Sequence, residues 1–318
     1  MNDEKTTDNP HDTRMKELFH DRKAFISLLK DLVKADWMSD VDESSLKRSP
    51  NTYILPDFSD KEADVVYEGK LKKSGETVIF YVLLENQSAV DYRMPYRLLL
   101  YIVEILRDYY NHADEKARRR RDFKFPAVIP LVFYTGRRRW TVPLTLRDMF
   151  AEHEHFGDAL INFNYSLIDI KTPNDESLEN IESKLLEMMI RLERTRDFEE
   201  VVETIGKYKA KIMGLTAKEK RVLNLAFKIF RQVYGDSGGF DLSKILYADS
   251  KEVDGMLVDV IANAKKRERN IRAEGKAEGA RAAKIETAKK LIKKGLTVEE
   301  VSDLTGLEVA AVQELQEN

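Results

Sequence analysis

The chain has no cysteine among its 318 residues. That single absence removes disulfide staples, thiol catalysis and cysteine-held zinc, and leaves any chemistry to carboxylates, amides, hydroxyls, basic side chains and five histidines. The histidines form no evident site: His153 and His155 stand two apart around Glu154, not at the i, i+4 spacing that turns two helical imidazoles toward one metal. Long apolar runs are missing too, none approaching the roughly 18 to 20 residues of a membrane span. The opening MNDEKTTDNPHDTR is polar and acidic, where a secretory signal needs a basic start and an apolar stretch. With a net charge of −3 and a pI near 6.1, the chain reads as a cytoplasmic protein without membrane contact. Its length and its 42% hydrophobic content allow one domain with a helical extension, or two domains.

Charge is present but unevenly placed. Between Arg93 and Arg147 thirteen basic residues face five acidic ones, a local balance of +8 in a chain whose total is −3.

The first eleven residues read as a disordered leader. From Asp12, a plausible N-cap, a helical pattern carries Met15, Leu18, Phe19, Phe25, Leu28 and Leu32 on its apolar side. A loop rich in Ser, Asp and Pro is expected over Ser39 to Pro50, then three β-like runs at Asn51 to Leu55, Glu62 to Lys70 and Thr77 to Glu85. Lys73, Ser74 and Gly75 provide a hairpin turn between the last two. Met94 to Asn111 predicts an amphipathic helix with Pro95 in its first turn, Phe125 to Gly136 a buried strand, and Phe163 to Ile170 another. Trp140, Tyr109 and Tyr110 read as packing residues. Beyond Lys171 strand signals stop, which predicts an α/β core carrying a helical extension over 173–268. Two glycines four residues apart in AEGKAEGARAAK cost on the order of 1 kcal/mol each in a helix, so 269–283 reads as a flexible or weakly helical linker. Residues 284–318 have the period of three short helices with turns at Gly295 and Gly306. They are laid out like a helix-turn-helix, but Glu308 to Glu317 has three acids and no Arg or Lys. A groove-reading helix is not expected to be acidic, so this module suits protein interaction or self-association.

The stretch FYVLLENQSAV poses the chemical question, because a near-continuous apolar strand ends abruptly in Glu85, Asn86 and Gln87. Alternation places Asp64 on one face of its strand and Glu85 with Gln87 on one face of the next, and adjacent strands lie about 4.8 Å apart. Two carboxylates aimed at one spot repel, so either one titrates upward or a cation sits between them. Mg²⁺ or Mn²⁺ suits such oxygen donors, with the Asn86 backbone carbonyl as a further ligand and Gln87 orienting a water or a phosphate oxygen. Equally, Glu85 can mark a strand end and Asp64 a solvated strand start; spacing alone leaves both readings open.

Several quoted segments in order make the pattern more specific. HDTRMKELFHDRKAFISLLKDLV, KEADVVYEGK, VLLENQS, MPYRLLLYIVEIL and PAVIPLVFYTGRRRW resemble the Rpn-type recombination-promoting nuclease and transposase family, within the wider PD-(D/E)XK nuclease superfamily, over about the first half of the chain. The resemblance implies a restriction-endonuclease-like α-β-β-β-α-β core with a mixed sheet over 12–172. It also implies a divalent-metal-dependent DNA endonuclease in which Asp64 and Glu85 hold Mg²⁺ or Mn²⁺. Gln87 stands where the superfamily usually has lysine, and a glutamine can hydrogen-bond but brings no cation to the transition state. The alternative is therefore a catalytically weakened DNA-binding accessory protein that retains the fold. Asp12 and Glu17 on the first helix are second-rank candidates for assisting the metal, each equally suited to a cap or a solvated face.

The basic segment fits phosphate binding, since clustered arginines give salt-dependent affinity for DNA, although arginine runs in loops are also ordinary solvated charge. Arg118, Arg119, Arg120 and Arg121 precede the Phe125 to Gly136 strand and Arg137, Arg138 and Arg139 follow it, so only one cluster can border a given sheet edge. Arg93 and Arg97, opening the helix after Gln87, are nearer the acid pair. A double-strand break calls for two centres, which suggests a homodimer.

Overall fold

The computed structural model describes residues 10–50, 63–85, 90–234 and 242–317. The described residues up to 234 together with 242–254 form one compact unit, and those from 255 onward form a second. Among the described residues no helix is long and apolar enough to cross a membrane.

The first unit is an α/β fold on a mixed five-stranded sheet ordered β1-β2-β3-β4-β5. Helices α1 (Pro10–Phe19) and α2 (Arg22–Ser27) lead into it, with Asp21 capping α2 by accepting from Ala24 N at 3.1 Å. A π-helical turn (Leu28–Val33), closed by Lys34 at φ 54°, and a 3-10 turn (Asp36–Asp40) follow. Strands β1 (Val41–Arg48), β2 (Ala63–Leu71) and β3 (Thr77–Glu85) are antiparallel neighbours. Helix α3 (Met94–His112) and a one-turn α4 (Glu115–Arg118) lead to β4 (Ala127–Tyr134), parallel to β3. A one-turn α5 (His153–Phe156) precedes β5 (Ser166–Asp169), parallel to β4. The order helix, three strands, helix, strand is the one the family resemblance implies.

Two expectations are corrected in this region. Helix α1 starts at Pro10, so Asp12 lies within it rather than capping it. Val41–Arg48 is a strand, not a loop. Its Ser and Asp content serves a bulge: Asp42 accepts from Ser44 N at 3.0 Å and Ser44 Oγ at 2.6 Å, and the register with β2 shifts between Asp42 and Lys47. Leu46 folds onto Gly69 of β2, where a Cβ would stand 2.8 Å from its Cδ2. The strand expected at Asn51 to Leu55 lies outside the described residues.

The sheet is covered on both faces, which is why β3 is buried along nearly its whole length. On one face Met94, Leu98, Tyr101 and Ile105 of α3 pack on Val66, Tyr81, Leu83, Val132 and Tyr134. Full burial of each such side chain contributes about 1.5–3 kcal/mol. On the other face Phe19 meets Phe133 edge-on at 5.1 Å and Phe25 stacks on Tyr67 at 3.8 Å. The Tyr67 hydroxyl donates to the Phe19 carbonyl at 2.8 Å.

The helical extension comprises α6 (Asp175–Glu179), α7 (Lys184–Glu193), α8 (Phe198–Lys207), α9 (Lys209–Met213) and α10 (Ala217–Tyr234). It belongs to the same compact unit as the sheet, so no domain boundary falls at residues 172 and 173. α7 is buried from Leu185 through Leu192, and its N-cap Ser183 donates its N–H to Ser27 Oγ of α2 at 2.9 Å, both residues being buried. The Arg194 guanidinium donates to the carbonyls of Ile170 and Pro173, fastening the end of α7 to the end of β5.

Helix α11 (Ser250–Lys293) runs without a break through 269–283, where the sequence reads as a flexible or weakly helical linker. Gly275 and Gly279 are flanked by Ala, Glu, Lys and Arg, all strong helix formers, and the summed preference outweighs the two local costs. Within the second unit, the end of α11 packs with α12 (Val298–Thr305) and α13 (Val309–Glu317) around Ala288, Val301 and Val312. Gly295 and Gly306 turn the chain at φ 86° and 63°, and Thr297 with Glu300 forms a capping box at the start of α12.

Candidate active site

Strands β3, β4 and β5 run parallel, and their last residues lie side by side: Glu85 pairs with Tyr134, and Tyr134 with Asp169. Cross-strand partners share a face, and Tyr134 belongs to the core under α3, so the two carboxylates and the phenol line the α3 face at the C-terminal sheet edge. Open α/β sheets place ligands at that edge.

Glu85 ends an all-apolar run and is only 3% exposed. It is tolerable there because α3 delivers a cation. Arg97 Nη1 donates to Glu85 Oε2 at 3.2 Å and to Asp91 Oδ2 at 3.0 Å, and Arg97 is itself 3% exposed. Asp91 is held in turn by Arg93, whose backbone N–H donates to Oδ1 at 2.9 Å and whose guanidinium grips both carboxylate oxygens. Burial pushes the Asp91 carboxyl upward, but the hydrogen bonds from Arg93 and Arg97 outweigh it and hold the group below the usual carboxylate range.

Between the two strand-end carboxylates the Tyr134 hydroxyl donates to the Arg138 carbonyl at 3.0 Å. Burial pushes its pKa up, and the negative charges of Asp169 and Glu85 push it further, which favours the protonated phenol. Lys171 lies 4.8 Å from the centre of the Tyr134 ring, donates to the carbonyls of Gly136 and Arg138 at 2.7 and 2.6 Å, and sits 3.6 Å from Asp169. Gly136 must be glycine for this closure, since a Cβ there would stand 2.4 Å from the Tyr134 hydroxyl.

Asp64 pairs with Leu83, which puts it on the Glu85 face but as a diagonal neighbour rather than directly opposite, a spacing of about 7–8 Å. Its side chain, like that of Asp12, lies outside the described part of the chain, as do Asn86 and Gln87 altogether. Among the described residues no three His, Asp and Glu side chains gather to hold a metal. Glu17 pairs with His20, in the turn just past its helix, at 3.3 Å, and α1 covers the sheet face opposite Glu85. Arg97 is corrected from a phosphate contact to the buried partner of Glu85. Arg93 remains largely exposed. Arg137, Arg138 and Arg139 are exposed just past β4, at the Glu85 edge, whereas Arg118, Arg119, Arg120 and Arg121 precede β4 at the other end. Asp91, Asp169 and Lys171 escaped the sequence reading, although an arginine interrupting the apolar stripe of Met94, Leu98 and Tyr101 signals a buried acidic partner.

A family model described as "Putative transposase, YhgA-like" matches residues 9–220. The chain belongs to this family. Its model takes in the whole sheet and the extension into α10 and ends before α11. The recombination-promoting nuclease RpnD of Escherichia coli O157:H7 is 30% identical over 209 residues, covering 63% of this chain and 74% of the relative. The recombination-promoting nuclease RpnC of Escherichia coli strain K12 is 24% identical over 198 residues, covering 62% of each; the chain thus spans less than two thirds of that second relative. No solved structure matches.

Proposed function

We propose that this chain is a divalent-metal-dependent DNA endonuclease of the cytoplasm, hydrolysing phosphodiester bonds in recombination or element mobility, with its centre at Asp64 and Glu85. The observation that carries the reading is the buried carboxylate of Glu85 at the C-terminal sheet edge, with Asp64 at a diagonal register position on the same face. The names of the two Rpn relatives support it. The donors fit a hard cation in kind: Glu85 offers carboxylate oxygens in a site that already stabilises positive charge, in the form of Arg97. Asp64, Glu85 and the Asn86 carbonyl would hold Mg²⁺ or Mn²⁺, which when bound would lower the pKa of a water and offset charge on the phosphoryl oxygens.

The chain's own residues do the rest. Arg97 and Asp91 orient Glu85, exposed Arg137 to Arg139 draw the DNA backbone to this edge, Arg93 adds a phosphate contact, and Gln87 positions a water or a phosphate oxygen. A homodimer would place two such centres on two strands, and the acidic C-terminal helices suit protein contact or self-association.

One observation favours the second reading, a DNA-binding accessory protein with a weakened site. The Arg97 guanidinium already neutralises Glu85, so a metal must share or displace it. Cleavage of supercoiled plasmid by wild type and Glu85→Ala, with Mg²⁺, Mn²⁺, Ca²⁺ or chelator, decides. Metal-dependent nicking lost in the variant establishes the nuclease; no cutting by folded wild type under any metal leaves the accessory reading.

A further inference from the structure

The end of the sheet away from Glu85 holds a second chemical surface. Ala127 to Tyr134 is a strand of seven steps, so its two ends lie about 23 Å apart, and the chain entering at Ala127 brings a cluster of rings with it. Phe123 and Phe125 meet at 5.5 Å between centroids, Tyr110 of α3 lies 6.0 and 6.2 Å from them, and the Arg118 guanidinium stacks 4.9 Å over Tyr110. These rings are not buried core: Phe125 is 50% exposed, and Tyr110, which packs on both phenylalanines as the sequence suggests, is still 41% exposed.

The surrounding charge is mainly positive. From Lys116 to Lys124 there are six basic residues and one acidic one. Arg119 and Arg120 are engaged by Glu115 and Asp122, while among the described residues Arg121 and Lys124 enter no ion pair and are exposed. Partly exposed rings interleaved with cations suit a ligand with flat apolar faces and regular negative charge. Single-stranded nucleic acid has both, and its bases, unlike those of a duplex, are free to leave their stack for a ring.

We propose that Tyr110, Phe123 and Phe125 with Arg118, Arg121 and Lys124 form a stacking platform for single-stranded DNA, distinct from the Glu85 edge. The choice of DNA over RNA, and that choice alone, rests on the proposed function. Such a platform would hold a frayed or displaced strand at one end of the sheet while a phosphodiester is presented at the other.

The test is fluorescence anisotropy of labelled (dT)15 with full-length protein in chelator, where nothing is cut. Phe125→Ala should weaken (dT)15 binding about 5- to 150-fold, the effect of losing one base stack, leave binding of a duplex of equal length unchanged, and be rescued by Phe125→Trp. Arg121→Ala should lower the slope of log affinity against log salt by about 0.7. Unaltered circular dichroism of the variants confirms folding. Absence of (dT)15 binding by wild type, an unaffected Phe125→Ala, or a parallel loss of duplex binding overturns the platform, and tighter binding of (U)15 overturns the choice of DNA. Plasmid cutting without (dT)15 binding refutes the platform and leaves the nuclease; (dT)15 binding without cutting does the reverse.

Discussion

Replacing Arg97 with methionine keeps the aliphatic stem within α3 and deletes the charge that Glu85 faces. Both residues are 3% exposed, and breaking a buried pair from one side costs about 3–5 kcal/mol. Glu85 has a way to limit that cost, which is to take up a proton. For an ordinary glutamate with pKa about 4.3, being neutral at pH 7 costs about 3.7 kcal/mol, and at pH 5 only about 1 kcal/mol. Asp91 contributes little to the difference, because it keeps the Arg93 N–H at 2.9 Å. Arg97→Met should therefore lose about 3–4 kcal/mol at pH 7 and about 1 kcal/mol at pH 5. Glu85→Gln added to Arg97→Met should recover most of the neutral-pH loss. Urea unfolding followed by far-ultraviolet circular dichroism in chelator measures each. If Arg97→Met loses under 1 kcal/mol at pH 7, or loses as much at pH 5, the buried pair is not what makes Glu85 tolerable. Adding Mg²⁺ joins this to function, because a cation seated on Glu85 should restore Arg97→Met at pH 7 more than it stabilises wild type.

Burial raises Tyr67 to about 12, above its unfolded value near 10. Its stabilising share is thus full below pH 10 and is lost as pH rises through 12, about 2.7 kcal/mol in all and about half of that by pH 11. Tyr67→Phe should remove that alkaline loss while costing about 0.5–1.5 kcal/mol at neutral pH for the bond to Phe19, and urea midpoints taken from pH 8 to 11 in both proteins must diverge that way. Ser27→Ala leaves the buried Ser183 N–H without its 2.9 Å acceptor, a cost of about 1–3 kcal/mol; an unchanged unfolding midpoint would show that this link is dispensable. Gly275→Ala with Gly279→Ala should raise helix stability by about 1 kcal/mol each, seen as a higher melting point for the 222 nm signal of α11, and a lower one would contradict a continuous helix.

The elements read correctly from sequence are those whose local signals agree with their tertiary setting. β2 and β3 alternate or run apolar on either side of a Lys-Ser-Gly turn, and α3 opens with Pro95 and carries Met94, Leu98, Tyr101 and Ile105 on one side. β1 escaped because its Ser and Asp residues build a bulge, and a bulged edge strand has loop composition. The unbroken continuity of the tail helix escaped because two glycines were weighed singly while their helix-forming neighbours act together. Glu85 stood out because an acid ending an apolar strand needs a reason. The reason itself, Arg97 with Asp91, depends on how α3 lies across the sheet, and no spacing in the sequence reveals that geometry.

The hydrogen bond from Ser183 to Ser27 spans 156 residues, and it sets an order of events at the ribosome. The side of α2 that receives α7 stays open until α7 has been made. At about 5–20 residues per second, roughly 8–30 s of synthesis separate Ser27 from Ser183. Through that interval the apolar seat awaiting α7 is exposed to solvent and to chaperones. A chain stopped after β5, at residue 170, would carry every described strand and Glu85 yet keep that seat permanently bare, and its expected fate is aggregation rather than a minimal active core.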